Sequence, residues 1–284
     1  MRATRRAGAR VRKQRRHPRA IPRHGAARRA GHFSHRTMKQ IILAAGYATR
    51  LHPLTEHSPK PLLPVGNQPM IEHVLASSAA IGDIDNTFVV TNEKFASHFE
   101  NWLAEYQKAQ PDFNGAIIND GTTSNEDRLG AIGDLHHVIE REAIDDDLLV
   151  IAGDNLFTGD LSGFGDRCRE TQTPVLGLHD VGSLEEAKKY GVVAVDDAGR
   201  LTSFEEKPDA PQSTLIGIAL YYYPRAVLAD IRRYIKEGHN PDQPGRLVQW
   251  LYPQQPVHTW VVPGDWLDIG SHETLAAADA LFSR

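Results

Sequence analysis

From Lys39 to Tyr190, short apolar runs alternate with segments whose apolar residues recur at helical spacing. The runs are rich in leucine and β-branched residues, as in LLVIA at Leu148–Ala152, and this composition indicates buried strands. Repeated units of strand, helix and strand predict a mostly parallel sheet with helices on both faces. The predicted strands are Lys39–Leu43, Thr87–Thr91, Ala116–Ile118, Leu148–Ala152 and Pro174–Leu178, and the predicted helices are Met70–Ala80, Lys94–Tyr106 and Leu129–Ile139.

The pattern changes after Tyr190, where GVVAVDDAGRLTSFEEKP predicts two strands joined by an Asp-Ala-Gly turn. This hairpin adds antiparallel pairing to the sheet. The sequence therefore predicts one α/β domain over residues 38–284, with a mostly parallel mixed sheet and an antiparallel addition. Further strands are predicted at Ser213–Tyr223 and Val257–Val262, and further helices at Ala226–Ile235, Leu247–Leu251 and Ser271–Ala280.

Residues 1–37 differ in composition from the rest of the 284-residue chain. They hold 13 of the 32 Lys and Arg residues and no Asp or Glu, so 19 basic and 36 acidic residues remain after them, a net charge of −17. The segment has no hydrophobic periodicity, and we expect disorder there. Because Met38 directly precedes the first predicted strand, we interpret the segment as an over-extended translation. A nucleic-acid-binding arm and an organelle transit peptide are the alternatives, and the −17 charge disfavours a nucleic-acid partner.

Cys168 is the only cysteine of the chain. One cysteine cannot form a disulfide within the chain, which fits a reducing compartment, so we expect a cytoplasmic protein. No apolar run approaches the roughly 18 residues that a membrane-spanning helix requires, and we expect no membrane partner.

The segment LAAGYATRLHPLTEHSPKPLLPV, Leu43–Val65, directly follows the first predicted strand. Gly46 and its small neighbours let backbone N–H groups approach an anion closely. Arg50 offers a planar fork for phosphate oxygens, and Lys60 offers a point charge between two prolines. The segment lacks the Gly-Lys-Ser/Thr of a Walker A loop, and Ala48 replaces the second glycine of a Rossmann fingerprint. We therefore predict a polyphosphate site at the carboxyl end of this strand.

Two aspartates offer carboxylates that could hold Mg²⁺ during phosphoryl or nucleotidyl transfer. Asp154 follows the buried strand LLVIA, so it belongs at the carboxyl end of the sheet, where ligands bind. Asp268 is flanked by Trp266, Leu267 and Ile269, and a part-buried carboxylate is costly without a partner or a metal. A turn or a helix cap is the structural alternative for each aspartate.

The segment FEEKP places Glu206 and Lys207 next to each other. Adjacent residues of a strand face opposite sides, so both can meet one ligand only if the strand twists or ends there, and Pro208 would end it. A solvated surface pair is the structural alternative. Gly191, at the start of the preceding strand, permits close approach of a ligand.

Five segments, taken in order, resemble those of the sugar-1-phosphate nucleotidylyltransferases, the family of glucose-1-phosphate thymidylyltransferase. They are LAAGYATRL, PKPLLPV, AGDNLF, YGVVAVDDAGRLTSFEEKP and WLDIGSHETL, and they span nearly all of residues 38–284. The resemblance implies a single Rossmann-like nucleotidyltransferase domain, similar to the GT-A fold. It also implies a Mg²⁺-dependent enzyme whose partners are a nucleoside triphosphate and a sugar 1-phosphate, and it leaves a homo-oligomer open.

The resemblance also implies a role for each matching residue. Leu129 and Gly130 fall where the family contacts the base and ribose. The implied residues are Ala44, Ala45, Gly46, Leu129 and Gly130 for the nucleotide, Arg50, Lys60 and Lys207 for catalysis, Gly191, Glu206 and Lys207 for the sugar phosphate, and Asp154 and Asp268 for Mg²⁺.

Two departures from the family concern the nucleotide. Ala48 stands where the thymidylyltransferases usually have glycine, and SNEDRLGAIGD is not their usual base-contacting segment. dTTP or UTP is favoured, with GTP or CTP open. A cytidylyltransferase acting on phosphocholine or a similar phosphate monoester is an alternative, with Tyr221–Tyr223 and Trp260 available for an aromatic cage. A catalytically silent regulatory homologue is another, which the retained charged residues disfavour.

Overall fold

The computed structural model describes residues 37–283, and these form the strands and helices that follow. The strands are β1 (Met38–Leu43), β2 (Pro64–Val65), β3 (Gln68–Pro69), β4 (Ile84–Thr91), β5 (Gly115–Asn119), β6 (Asp147–Ala152), β7 (Asn155–Phe157), β8 (Val175–Asp180), β9 (Gly191–Val195), β10 (Leu201–Glu206), β11 (Leu215–Tyr223), β12 (His258–Val261) and β13 (Trp266–Asp268). The helices are α1 (Met70–Ala79), α2 (Ala96–Ala109), α3 (Ala131–Arg141), α4 (Ser162–Thr171), α5 (Leu184–Ala187), α6 (Leu228–Lys236), α7 (Gly245–Leu251) and α8 (His272–Phe282).

The central sheet runs in the order β10-β9-β11-β6-β1-β4-β5, with β8 paired to β11 and β12 paired to β8. Strand β1 is parallel to β4 and β6, and Leu43 at its end is in register with Val90 and Ala152. Strand β11 is antiparallel to β6, β8 and β9, and β9 and β10 form the predicted antiparallel hairpin. The structure thus confirms an α/β fold with a mixed sheet, and it aligns the ends of three parallel strands at one edge.

The sheet is covered on both faces, because alternate residues of its strands enter two different hydrophobic cores. Ile42, Leu149 and Tyr222 pack in the core that also holds side chains of α1, α2, α4 and α8. Ile41 and Val150 pack in the other core, with side chains of α3, α6 and α7. The central strands are apolar on both sides because neither of their faces meets water.

Helix α4 and the short pair β7–β13 were not predicted. The sequence of α4, SGFGDRCRET, buries Phe164, Gly165 and Cys168, which include too few apolar side chains for a clear helical pattern. Strands β7 and β13 have three residues each and pair antiparallel, with Asp268 opposite Asn155. Such short strands leave no periodic signal.

The predicted helix Leu129–Ile139 begins two residues late, at Ala131, because Gly130 has a φ of 79° that a helix excludes. The predicted basic extension at residues 1–37 lies, except for Thr37, outside the described residues. Within residues 37–283, every helix is too short or too polar to cross a membrane.

Candidate functional site

The loop after β1 is held in place by backbone and amide hydrogen bonds. The amide of Ala44 donates to the Val90 carbonyl at 2.9 Å, and the buried Asn92 side chain donates to the Ala45 carbonyl at 2.8 Å. Ala48 has a φ of 46°, in the left-handed region that favours glycine. The glycine that the resembled family usually has at this position would adopt this backbone angle more easily than Ala48 does.

A first cavity, the loop cavity, has a volume of about 360 Å³ and lies over this loop. Gly46 faces open space, since a Cβ built on it would meet no atom within 4 Å. Gly130 lines the cavity, whereas Leu129 packs beside Gly133, whose built Cβ would lie 2.9 Å from the Leu129 Cβ. The residues that line the loop cavity include Ala44, Ala45, Gly46, Arg50, Lys60, Gly130, Asp134 and Asp154.

Segment 241–245 closes the loop cavity on the side of α3. The Asp242 carbonyl accepts from the Ala131 amide at 3.1 Å, and the Asp242 carboxylate accepts from the Arg128 side chain at 3.0 Å. A Cβ built on Gly130 would lie 2.7 Å from the Asp242 Cα, so only glycine allows this contact. The same segment continues through Pro244 and Gly245 into the lining of a second cavity.

This second cavity, the large cavity, has a volume of about 740 Å³. Arg50 and Asp154 line both cavities, so the two cavities adjoin at these side chains. The large cavity brings together Gly191, Glu206, Lys207 and Asp268, four predicted residues from three separate parts of the sequence.

Glu206 and Lys207 both line the large cavity because β10 ends at Glu206. Lys207 has a φ of 48°, so the backbone reverses its course there and the usual alternation of strand side chains stops. Burial raises the pKa of Glu206, while the charges of Lys207 and Arg246 lower it. The sequence predicted that Glu206 and Lys207 could meet one ligand only if their strand ended there. The strand does end there.

Gly191 makes room for a neighbouring side chain of the protein. A Cβ built on it would lie 2.4 Å from Phe204 Cζ and 3.2 Å from a carboxylate oxygen of Glu206. Any larger residue would displace both. Gly191 therefore shapes the cavity by letting Phe204 and Glu206 pack, in addition to lining it.

Lys60 lies between the two predicted metal-binding segments. Its ammonium forms an ion pair with Asp154 and donates to the Ile269 carbonyl at 2.7 Å, directly after Asp268. Asn155 donates to Asp154 at 3.1 Å and accepts from the Trp266 indole at 2.8 Å. These bonds fix the Asp154 carboxylate at the border of the two cavities.

Asp268 lies close enough to Asp154 for the two charges to interact. Burial and the negative charge of Asp154 raise the pKa of Asp268 to about 6. The positive charges of Lys60, Arg50 and Lys207 oppose this increase only in part. Two carboxylates that repel each other fit a divalent cation, which takes oxygen ligands. Within residues 37–283, no three His, Cys, Asp or Glu side chains could hold a metal, so substrate oxygens would have to complete the shell.

Sequence reasoning missed the aromatic wall of the large cavity. Tyr190 and Trp266 both line it, with ring centroids 5.3 Å apart in an edge-to-face arrangement. Burial, Asp268 and Glu186 raise the pKa of Tyr190 to about 12, so its hydroxyl stays protonated at neutral pH. Their sequence signal was limited to their positions beside Gly191 and Asp268, which do not show that the two rings meet.

The residues considered for an aromatic cage lie on different faces of the sheet. Tyr221 and Tyr223 stack with centroids 6.0 Å apart and pack in the core of α3, α6 and α7. Trp260 packs edge-to-face on Phe164 of α4, in the other core. These side chains therefore do not form one cage for a quaternary amine.

Known proteins resemble this chain over nearly its whole described length. A model of the nucleotidyl transferase family matches residues 39–283. Glucose-1-phosphate thymidylyltransferase of Mycolicibacterium smegmatis is 31% identical over 245 residues, covering 85% of this chain and 81% of that protein. The bifunctional protein GlmU of Methanocaldococcus jannaschii is 27% identical, covering 82% of this chain but 51% of its own length, so the chain spans about half of that relative.

The fold has a solved counterpart. A Bacillus anthracis protein named as a glucose-1-phosphate thymidylyltransferase, in complex with a sucrose, superposes with a TM-score of 0.74 at 25% identity. The superposition covers 87% of this chain and 96% of that one. These matches confirm the resemblance on which the site residues were predicted, and the chain belongs to the nucleotidyl transferase family.

Proposed function

We propose that this domain transfers a nucleotidyl group from a nucleoside triphosphate to a sugar 1-phosphate, giving a nucleotide sugar and pyrophosphate. The observation that carries the proposal is the pair of cavities joined at Arg50 and Asp154. The loop cavity would hold the triphosphate against the backbone after β1. The large cavity would hold the sugar phosphate, with its hydroxyls near Glu206 and its phosphate near Lys207.

The chemistry requires little proton transfer. An oxygen of the sugar phosphate attacks the α-phosphorus, a new P–O bond forms, and the bond to the leaving pyrophosphate breaks on the opposite side. A phosphate monoester has a second pKa near ~6, so its attacking oxygen is already mostly ionised at neutral pH. A general base is therefore unnecessary.

Positioning and charge stabilisation would then do the catalysis. The Arg50 guanidinium makes no hydrogen bond to any other described residue, so its donors are free for phosphate oxygens. Lys60 and Lys207 would bring positive charge from either side of the shared border. Asp154 and Asp268 would hold Mg²⁺, which supplies charge neutralisation at the phosphates when bound.

The choice of substrates is part of the proposal. We favour dTTP or UTP as the nucleotide. The aromatic wall of Tyr190 and Trp266 suits the apolar face of a sugar ring, which supports a sugar rather than a quaternary amine in the large cavity. A reducing compartment such as the cytoplasm fits a chain whose one cysteine, Cys168, is buried.

A pyrophosphate-release screen tests the proposal. The full chain is incubated with Mg²⁺, each of UTP, dTTP, GTP, CTP and ATP, and a panel of sugar 1-phosphates. Release that requires both substrates supports the proposal. No release with any pair would favour the catalytically silent homologue.

A further inference from the structure

The loop after β1 is hydrogen-bonded on both sides of Gly46, which itself faces open space in the loop cavity. The two residues before Gly46 are bonded to the end of β4 and to the residue after it. On the other side, the buried Thr55 hydroxyl donates to the Ala48 carbonyl at 2.8 Å. Ala48 has a left-handed backbone that alanine rarely adopts, so the surrounding bonds are needed to keep the loop in this shape.

Tyr47 extends from this loop to the segment that follows β5. Its hydroxyl lies 3.3 Å from the Thr122 hydroxyl, in a buried contact. The Thr122 hydroxyl donates its own hydrogen to the Asp120 carboxylate at 2.8 Å, so the Tyr47 hydroxyl must be the donor in the contact with Thr122. The Asp120 amide in turn donates to the Thr91 carbonyl at 2.9 Å. The series of bonds that starts at Tyr47 therefore ends on β4.

The Tyr47 hydroxyl remains a hydrogen-bond donor at neutral pH. Burial raises the pKa of Tyr47, although its bond to Thr122 lowers it. The negative charges of three acids that follow β5, Asp127, Asp120 and Asp134, raise it further. Asp134 adds its charge only in alkaline solution, because burial and Asp120 raise its own pKa to about 8.

The hydrogen bond between Tyr47 and Thr122 joins two segments that line the loop cavity. Tyr47 is 8% exposed and lines the cavity with the other residues of loop 44–48. Thr122 belongs to segment 120–128, whose Asn125 and Arg128 line the same cavity. A site that is fixed before binding loses less conformational freedom when its ligand arrives. A ligand that contacts both segments therefore gains the most from this bond.

We propose that Tyr47 is a positioning residue for the nucleoside triphosphate, its hydroxyl holding loop 44–48 in a fixed place relative to segment 120–128. The inference rests on the proposed function, since it assigns the loop cavity to the nucleotide. The triphosphate lies on the loop and the nucleoside lies against the segment, so the complete nucleotide contacts both. Inorganic tripolyphosphate contacts the loop alone.

A double-mutant cycle separates this role from a general effect on folding. Tyr47→Phe keeps the ring and removes the donor, and Thr122→Val removes the acceptor but keeps the backbone bond to Asp120. The double variant carries both changes. Tyr252→Phe is the matched control, because Tyr252 is a half-buried tyrosine that lines neither cavity.

Binding to the full chain is measured by calorimetry with Mg²⁺, using UTP, dTTP, GTP, CTP, ATP and inorganic tripolyphosphate. Pyrophosphate release gives KM for the sugar 1-phosphate, and thermal melting without ligand checks folding. Tyr47→Phe should weaken the nucleotide that the wild type binds most tightly by about three- to tenfold, as expected for one hydrogen bond. Tripolyphosphate should lose less than about twofold, and KM for the sugar 1-phosphate should not change.

The cycle tests whether Tyr47 acts through Thr122. Once Thr122→Val has removed the acceptor, Tyr47→Phe should weaken the nucleotide by no more than about 1.5-fold further. Tyr252→Phe should bind every ligand as the wild type does. An unchanged nucleotide affinity in Tyr47→Phe would overturn the inference. So would an equal loss for tripolyphosphate or the sugar 1-phosphate, or losses that simply add in the double variant.

The binding measurements keep this inference apart from the proposed function. If pyrophosphate release is absent but Tyr47→Phe shows the expected binding losses, the proposed function fails and the role of Tyr47 in nucleotide binding stands. If release occurs and Tyr47→Phe binds like the wild type, only the positioning role fails. A chain that binds none of the five nucleotides would overturn both.

Discussion

Lys60 forms an ion pair with Asp154 across the border of the two cavities and donates to the Ile269 carbonyl on its other side. The two residues stand 94 positions apart in the sequence, in the loop after β1 and at the end of β6. Their contact places a cation and a carboxylate where phosphates and a metal would meet. The pair is therefore the first place to test the chemistry.

Substitution of Asp154 by Asn should remove most turnover while the fold is retained. The amide keeps the shape and the bond from Asn155 but loses the negative charge, so we expect kcat to fall by about a hundredfold or more. The measurement is pyrophosphate release under saturating Mg²⁺, with thermal melting as the check on folding. Asp197→Asn, an exposed residue of the β9–β10 turn, is the control. A near-full rate in Asp154→Asn would contradict the metal role.

Substitution of Lys207 by Ala should mainly weaken binding of the sugar phosphate. Loss of a charge-assisted hydrogen bond costs about 1.5–3 kcal/mol, which corresponds to about 10- to 100-fold in KM for the sugar 1-phosphate. Lys188→Ala is the matched control, because Lys188 is an exposed lysine that pairs with Glu185 outside the cavity lining. If kcat and both KM values stay at the wild-type level, Lys207 has been assigned wrongly.

Substitution of Gly46 by Ala should weaken triphosphate binding without altering stability. The new methyl would meet no protein atom within 4 Å, so the unfolding free energy should stay within about 0.5 kcal/mol. It would occupy space that the phosphates need, and KM for the nucleotide should rise about tenfold. Gly165→Ala gives the opposite pattern, because its built Cβ would lie 2.2 Å from the Ile81 carbonyl oxygen. That variant should lose stability and keep the nucleotide KM.

The unfolding free energy of the protein without ligand should depend on pH through Asp134. The pKa of this carboxyl is raised from 3.8 to about 8, so across that interval the folded state holds a proton that the unfolded state has released. The stability contributed by Asp134 is full below pH 3.8 and is lost as pH rises toward about 8. Asp134→Asn has no such proton, so its unfolding free energy relative to wild type should grow by more than about 1 kcal/mol over this range.

Denaturant unfolding at several pH values checks this result, with Asp134→Asn and wild type measured side by side. A difference that stays constant with pH would mean that folding does not raise the pKa of the Asp134 carboxyl.

Much of the site could be predicted because its residues sit at positions that topology fixes. Asp154 follows a buried parallel strand, and the ends of such strands meet at one edge of a sheet whatever their separation in the sequence. Glu206 and Lys207 were assigned through the family resemblance, because the sequence around them, even with a proline to end the strand, fitted a solvated surface pair as well. For Asp154, the neighbouring sequence was enough to predict the position in the fold.

Asp134 and the Tyr190–Trp266 wall could not be predicted in this way. In IGDL, Asp134 resembles any polar residue of an amphipathic helix, and only the folded chain buries its carboxyl near Asp120. Trp266 lies in β13, a three-residue strand with no detectable period, and Tyr190 contacts it from just before β9. Burial at these positions is a property of the tertiary contacts.

Segment 241–245 lines both cavities, because Asp242 lies in the lining of the loop cavity and Gly245 in that of the large cavity. A shift of this segment when one cavity is filled would change the wall of the other cavity. The two affinities would then be coupled, and thermodynamic linkage requires each ligand to change the affinity for the other by the same factor. Occupancy of one cavity would therefore alter the affinity of the other.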